Sequence, residues 1–245
     1  MLKSLHNKLV ASNRIVSFGC SLTYGEELSD ATPDGNKYSY KAYPARIADY
    51  YECDYTSYAK PGYSNESIIR TLHDYITNDY TKKDAVVIGW SGIDRTEIYN
   101  KTTGDFMSLS PGSLENLNSS VNIFNFTRRA GKSFKQIINA YKVICKYNNN
   151  TNSLNNFTRH LFYAQSALAF RKIPFIMVNT MDIKLNALNI DFSDYKNFYT
   201  LRSFMNMAVC FDKENGKNNI KPNGHPDEEI HNEWANELIK WISYV

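Results

Sequence analysis

The sequence predicts an α/β protein in which a parallel sheet lies between layers of helices. Three short apolar runs, at residues 14–19, 84–90 and 172–180, have the length and composition of buried strands. Each run is apolar throughout rather than alternating, which fits a strand covered on both faces, as the strands of parallel sheets are. Segments with helical spacing of apolar residues separate these runs, and this alternation is typical of a parallel sheet.

The helices between the strands are predicted from apolar spacing and from capping residues. Residues 43–51 and 64–76 carry apolar side chains at helical spacing, and Ser64 offers an N-terminal cap to the second of them. A weaker strand is predicted at 53–59, between these two helices. The last helix, at 226–242, begins with a proline and three acidic residues, a composition that suits a first helical turn.

We expect a single domain spanning residues 1–245, with an Asn-rich and partly helical insertion at about 100–158. The run at 148–156 is mostly asparagine, which forms turns and solvated loops more readily than cores. Helices are predicted on either side of it, at 133–147 and 153–170. The length of the insertion indicates a lid or a surface for a protein partner.

Composition excludes several classes of function. The net charge is +3 and no block of like charges is present, so we expect no nucleic-acid partner. The four cysteines form no C-x-x-C pair and no histidine stands at zinc-site spacing, so we expect reduced thiols, no metal and no cofactor. Without a signal peptide or a long apolar stretch, the protein is expected to be soluble and cytoplasmic, with no membrane partner.

Ser21 is the first candidate for chemistry, because it follows directly on the strand at 14–19. Ligands of open parallel sheets bind beyond the carboxyl ends of the strands, and this serine lies at such an end. The pattern by itself fits either a nucleophile or a cap for the turn that follows. A nucleotide-binding protein is disfavoured, since neither a G-x-G-x-x-G nor a P-loop motif is present.

Four segments in order give the sequence a resemblance to the GDSL-type, or SGNH, hydrolases: "FGCSLTYG", "AKPGYSN", "IGWSGIDR" and "NGHP". The resemblance covers about residues 14–95 and 173–243. It implies a three-layer α/β/α fold with a parallel sheet of about five strands in flavodoxin-like order. It also implies that Ser21 is the nucleophile, that His225 is the general base, and that the oxyanion hole uses the backbone amides of Ser21 and Gly62.

Two positions depart from the family's pattern near the oxyanion hole. Cys20 replaces the aspartate of the family's name, a position that is not the nucleophile. Ser91 stands where the third segment of the family has an asparagine, so its hydroxyl would have to replace an amide donor. Asn65, three residues after Gly62, is a second candidate for that donor.

The acid of the catalytic triad is also missing from its place. The family's Asp-x-x-His pattern would put it at Pro222, which has no side-chain acceptor. The alternatives are Asn223, a carboxylate from elsewhere, or a Ser-His dyad oriented by a backbone carbonyl; the carboxylate candidates are Asp94, Asp182 and Asp227. His231 is a possible alternative base, but we expect it on the surface of the last helix, paired with a glutamate.

Taken together, these residues predict a metal-independent serine esterase that works through an acyl-enzyme. The expected substrate is a small-molecule or glycan ester, such as an O-acetylated carbohydrate or a short acyl ester. The alternative is a structural or binding module that retains the fold with a weakened site. The resemblance extends to divergent GDSL-like proteins of phage genomes, for which the module would be a virion component.

Overall fold

A five-stranded parallel sheet forms the centre of the molecule in the computed structural model, which describes residues 4–32, 36–101, 104–109, 139, 143, 150–181, 195, 197–216, 219–221 and 224–245. The strands are β1 (Arg14–Gly19), β2 (Asp54–Ser57), β3 (Asp84–Trp90), β6 (Phe175–Asn179) and β7 (Phe198–Tyr199), and a separate antiparallel hairpin consists of β4 (Thr96–Asn100) and β5 (Asp105–Leu109). The helices of the described part are α1 (Leu5–Val10), α2 (Ser21–Tyr24), α3 (Tyr43–Tyr50), α4 (Asn65–Asn78), α5 (Asn150–Phe170), α6 (Phe204–Asn215) and α7 (Glu228–Ile242).

The strand order β2-β1-β3-β6-β7 is the flavodoxin-like order, with β1 and β3 at the centre of the sheet. All neighbouring strands are parallel, and β1 pairs with β3 from Arg14 opposite Asp84 to Gly19 opposite Gly89. The predicted fold class is therefore confirmed. The register aligns the carboxyl ends of the two central strands, so that the loops following them lie side by side.

Helices cover both faces of the sheet and produce the three predicted layers. On one face, α3, α6 and α7 enclose a core that includes Ile15, Val87, Val178 and Trp234. On the other face, α4 and α5 cover a second core built on alternate residues of the same strands, among them Val16, Phe18 and Ile88. Burial on both faces explains why these strands are apolar throughout.

The insertion differs in part from its prediction. Helix α5 begins at Asn150, within the Asn-rich run that predicted a loop. Phe157, Leu161, Ala164 and Leu168 lie at helical spacing on its buried face, and their packing outweighs the weak helix propensity of asparagine. The β4–β5 hairpin was not predicted, and the helix predicted at 133–147 lies almost entirely outside the described residues.

In the described part of the chain, no helix combines the length and the apolar character that crossing a membrane requires. Cys20, Cys53 and Cys210 are free thiols.

Candidate active site

Ser21 is the first residue of the short helix α2, at the carboxyl end of β1. Cys20 precedes it in extended conformation and makes no side-chain capping bond, so the chain changes direction directly at the serine. Ser21 is 6% exposed, and its backbone N–H has no hydrogen-bond partner among the described residues. The first N–H groups of a helix have no partner within the helix, so this amide is free to bind an anion.

Two glycines allow α2 to lie directly on the edge of the sheet. Gly19 and Gly89 are opposite each other on β1 and β3, and a Cβ atom on either would come within 2.2 Å of the Thr23 hydroxyl. The Thr23 hydroxyl occupies this space and forms a hydrogen bond with the Tyr43 hydroxyl at 3.1 Å. This close approach fixes the position of the turn that carries Ser21.

The loop containing Gly62 is attached to the same edge. The Lys60 N–H donates to the carbonyl of Gly19 at 3.2 Å, which brings this loop beside the end of β1. Gly62 has a φ of +81°, a conformation that glycine adopts without strain. No hydrogen bond from its N–H is present within the described part of the molecule, so this amide is a second donor without a partner.

Asn65 and Ser91 form two hydrogen bonds with each other. The Ser91 N–H donates to Asn65 Oδ1 at 2.8 Å, and Asn65 Nδ2 donates to the Ser91 carbonyl at 3.1 Å. Both residues are buried, and the Ser91 hydroxyl has no hydrogen-bond partner in the described structure. Asn65 thus connects the start of α4 to the end of β3, and Ser91 retains an unused donor.

His225 reaches this region on a tight loop that precedes α7. Within the loop, the Lys221 N–H donates to the His225 carbonyl at 2.9 Å, and Ile220 forms an antiparallel bridge with Pro226. Asp227 ends the loop and caps α7 by accepting from the Ile230 N–H at 3.2 Å. The core packing of α7 therefore fixes the position of the histidine.

Two glutamates that sequence analysis missed contact the imidazole of His225. Glu27 Oε2 lies 3.2 Å from Nδ1, and Glu26 Oε2 lies 3.4 Å from Nε2. The Glu26 N–H in turn donates to the Ser21 carbonyl at 3.0 Å, so serine and histidine contact the same short segment. No hydrogen bond joins Ser21 to His225 among the described contacts. The glutamates stand five and six residues after Ser21, but no pattern in the sequence pairs them with His225.

Of the predicted third members of the triad, Asp94 and Asp227 lie among the described residues, and neither makes a described contact with His225. Asp94 is exposed in the turn after β3, and none of the contacts described for His225 involves it. Asp227 serves as the cap of α7. Asn223 and Asp182 lie outside the described residues.

His231 corrects a prediction, because it is buried rather than on the surface of α7. It is 1% exposed, and its Nδ1 accepts the Tyr43 N–H at 3.1 Å. Burial lowers the pKa of His231 to about 3, with a smaller contribution from the nearby charges of His225, Arg46 and Lys221. His231 therefore holds the start of α3 as a neutral acceptor. Within the described chain, no group of three or more histidine, cysteine, aspartate or glutamate side chains is arranged to hold a metal ion.

No family model matches the chain, and no curated protein matches it. Solved structures do. A protein assigned to the G-D-S-L lipolytic family, from Desulfitobacterium hafniense, superposes with a TM-score of 0.50 at 12% identity, over 94% of this chain and 99% of that one. The psychrotrophic esterase EstA from Pseudoalteromonas superposes with a TM-score of 0.50 at 11% identity, over 95% of this chain and 100% of that one. At such identities the likeness concerns the fold, and it confirms that this chain has the fold of the GDSL-type, or SGNH, hydrolases.

Proposed function

We propose that the protein is a serine esterase in which Ser21 is the nucleophile and His225 the general base. One observation carries the proposal. The loop before α7 brings His225, from the far end of the chain, onto the segment that directly follows the helix begun by Ser21. A serine hydroxyl is a weak nucleophile at neutral pH and needs an adjacent base, and the contact of His225 with the segment after Ser21 supports this role.

The proposed reaction has two steps. Ser21 Oγ attacks the ester carbonyl carbon while its proton passes to His225 Nε2, and collapse of the tetrahedral intermediate returns that proton to the departing alcohol. The acyl group is then bonded to Ser21. Water attacks this acyl-enzyme with His225 again taking the proton, and the carboxylic acid leaves as Ser21 is restored.

Three donors are proposed to stabilise the oxyanion: the backbone amides of Ser21 and Gly62 and the hydroxyl of Ser91. Support comes from the unused hydrogen-bonding capacity of all three within the described structure. We assign Asn65 to holding Ser91 in place, because its amide already donates to the Ser91 carbonyl. Removing one such donor in a comparable site costs about 10²-fold to 10³-fold in kcat.

The proposed substrate carries a small acyl group, with an O-acetylated carbohydrate or a short acyl ester as the leading classes. Ser21 is 6% exposed, so the ester must present an unhindered carbonyl carbon to it, as acetyl and other short acyl esters do. An esterase with the same fold, EstA from Pseudoalteromonas, has been solved inhibited by monoethylphosphonate. A phosphonate reagent is therefore a suitable probe for this chain.

The test is labelling of the purified protein with a fluorophosphonate, read by intact mass, together with hydrolysis of p-nitrophenyl acetate. We expect one adduct per chain, absent in Ser21→Ala and in His225→Ala, and a loss of at least about 10³-fold in kcat in both variants. Ser243→Ala, which removes an exposed serine at the end of α7, is the control and should label as the wild type does. Full activity in Ser21→Ala would refute the proposal.

The second candidate function is a binding or structural module with a weakened site, such as a virion component. The observation that favours it is the contact of His225 Nε2 with Glu26 at 3.4 Å, while no hydrogen bond to Ser21 is found among the described residues. A folded protein that forms no adduct and hydrolyses no ester would support this function over the esterase. The surface for a partner would then be sought on the insertion at about 100–158.

A further inference from the structure

We propose that Glu27 is the positioning acid of His225 and that Glu26 opposes it, the two carboxylates selecting which ring nitrogen carries the proton. The proposal rests on the proposed function of His225 as the base. It replaces the acid that the sequence lacks at Pro222 with a residue from the segment that follows the nucleophile.

The tautomer of His225 decides whether it can act as a base. A carboxylate beside Nδ1 stabilises the tautomer with the proton on Nδ1, which leaves the lone pair of Nε2 free to take the serine proton. A carboxylate beside Nε2 favours the other tautomer, in which that lone pair is lost. The contact of Glu27 with Nδ1 is a hydrogen bond at 3.2 Å, whereas Glu26 lies 3.4 Å from Nε2. Of the two contacts, the one with Glu27 has the geometry of a hydrogen bond, and this favours the catalytic tautomer.

The backbone holds Glu27 in place for this contact. Glu27 has a φ of +69°, a conformation that is uncommon for a residue other than glycine. Its carbonyl accepts a hydrogen bond from Lys221 Nζ, which belongs to the same loop as His225. The two segments are therefore joined twice, once through the backbone and once through the imidazole. A strained residue held by independent contacts is a pattern that occurs at functional sites.

Other charged groups lie near His225 in the chain or in space, and Asp227, two residues after it, is the cap of α7. Lys221 lies on its own loop, and His231 on α7 has electrostatic contact with His225, with Lys221 and with Arg46 of α3. His231 is buried and neutral, so it adds no charge. Glu26 and Glu27, both about one quarter exposed, are thus the anions that contact His225 among the described residues.

The first experiment measures the tautomer directly, by ¹⁵N NMR of histidine-labelled protein at about pH 9, well above the ordinary histidine pKa of about 6.5. His225→Ala assigns the His225 signals, since the chain has only five histidines. We expect Glu27→Gln to lower the fraction of the Nδ1–H tautomer and the matched Glu26→Gln to raise it. Shifts in the same direction, or no shift in either variant, would overturn the proposal.

The second experiment measures kcat and KM for p-nitrophenyl acetate in the same variants. Replacing the triad acid by its amide costs about 10⁴-fold in a buried protease site, and we expect a smaller loss, about 10²-fold in kcat, for the partly exposed Glu27. Glu26→Gln should raise kcat by about twofold, a factor within the range of a partly exposed polar contact. Glu27→Asp, which keeps the charge and suits a positive φ, should restore part of the activity, and circular dichroism confirms that each variant is folded.

The two experiments separate this inference from the proposed function. If the two variants shift the tautomer in opposite directions but the protein has no esterase activity, the roles of the two glutamates toward His225 are supported and the esterase is refuted. An active wild type whose rate and tautomer do not change in Glu27→Gln would refute the role of Glu27 and leave the esterase standing.

Discussion

The two ends of the central strands differ in the hydrogen bonding of their buried polar groups. At the amino end, the carboxylate of Asp84 is 1% exposed and fully bonded. It accepts from Arg14 Nη2 at 2.6 Å, from the Tyr75 hydroxyl at 2.7 Å and from the Thr81 N–H at 2.9 Å. Burial raises the pKa of Asp84, but these hydrogen bonds outweigh it and lower the pKa below its usual value.

At the carboxyl end, three buried polar atoms have no hydrogen-bond partner in the described structure: Trp90 Nε1, Ser91 Oγ and Asn179 Oδ1. Trp90 and Asn179 are paired residues at the ends of β3 and β6, and Ser91 follows directly. A buried polar group without a partner costs about 1–3 kcal/mol of stability. The buried polar groups at the amino end therefore stabilise the fold, whereas those at the carboxyl end leave hydrogen-bonding capacity unused near the candidate site.

The largest expected effect on stability is that of Asp84→Asn. An amide cannot accept from all the donors that surround this side chain, and one of its own N–H groups would face them, so we expect a loss of about 3 kcal/mol in the free energy of unfolding. Urea denaturation measures it. Asp79→Asn is the control, since Asp79 is exposed, and it should change stability by less than about 0.5 kcal/mol. A loss in Asp84→Asn as small as that of the control would contradict the comparison.

A smaller effect on stability is expected from the protonation of His231. This histidine is buried and accepts a hydrogen bond from the Tyr43 N–H as a neutral group. The pKa of His231 falls from 6.5 to about 3 on folding, so the unfolded chain binds the proton first. Stability is fully present above pH 6.5 and is lost as the pH falls toward 3. Between pH 6.5 and about pH 5 the expected loss is about 2 kcal/mol.

His231→Asn tests this prediction, because asparagine keeps an acceptor for the Tyr43 N–H and does not titrate. Urea denaturation at several pH values should show a flatter dependence in this variant than in the wild type. His73→Asn, which replaces an exposed histidine, should retain the wild-type dependence. If the free energy of unfolding depends on pH with the same slope in His231→Asn and in the wild type, the buried histidine is not the source of that dependence.

The smallest expected effect is that of Ser91→Ala. Its hydroxyl has no partner among the described residues, so removing it relieves a desolvation cost while leaving a small cavity, and the free energy of unfolding should stay unchanged or rise by up to about 1 kcal/mol. The matched variant is Ser64→Ala, because Ser64 is equally buried but its hydroxyl caps α4 by accepting from the Ser67 N–H at 3.2 Å. That variant should lose about 1 kcal/mol. Equal losses in the two variants would indicate that Ser91 is bonded after all.

The sequence by itself determined the layers of the fold and the ends of the strands at which chemistry is expected. Apolar runs without alternation predicted strands covered on both faces, and Gly19 was predicted to allow a sharp turn at the end of β1. The structure adds that Gly19 pairs with Gly89 and that both leave space for Thr23. The sequence did not predict that α5 begins within the Asn-rich run, because tertiary packing outweighs local propensity there.

Only the tertiary structure decided what surrounds the histidines. Glu27 and His225 are 198 positions apart, and no local pattern in the chain indicates that they touch. His231 stands three residues before Trp234 and seven before Leu238, which is the spacing of the buried face of α7, but its polar ring led to the prediction of a surface residue. Only the packing of α7 against α3 shows that the Tyr43 N–H is its partner. Local patterns reflect backbone periodicity and side-chain burial, which depend on near neighbours. The partner of a given polar atom depends instead on how distant segments pack, and that is fixed when the whole chain folds.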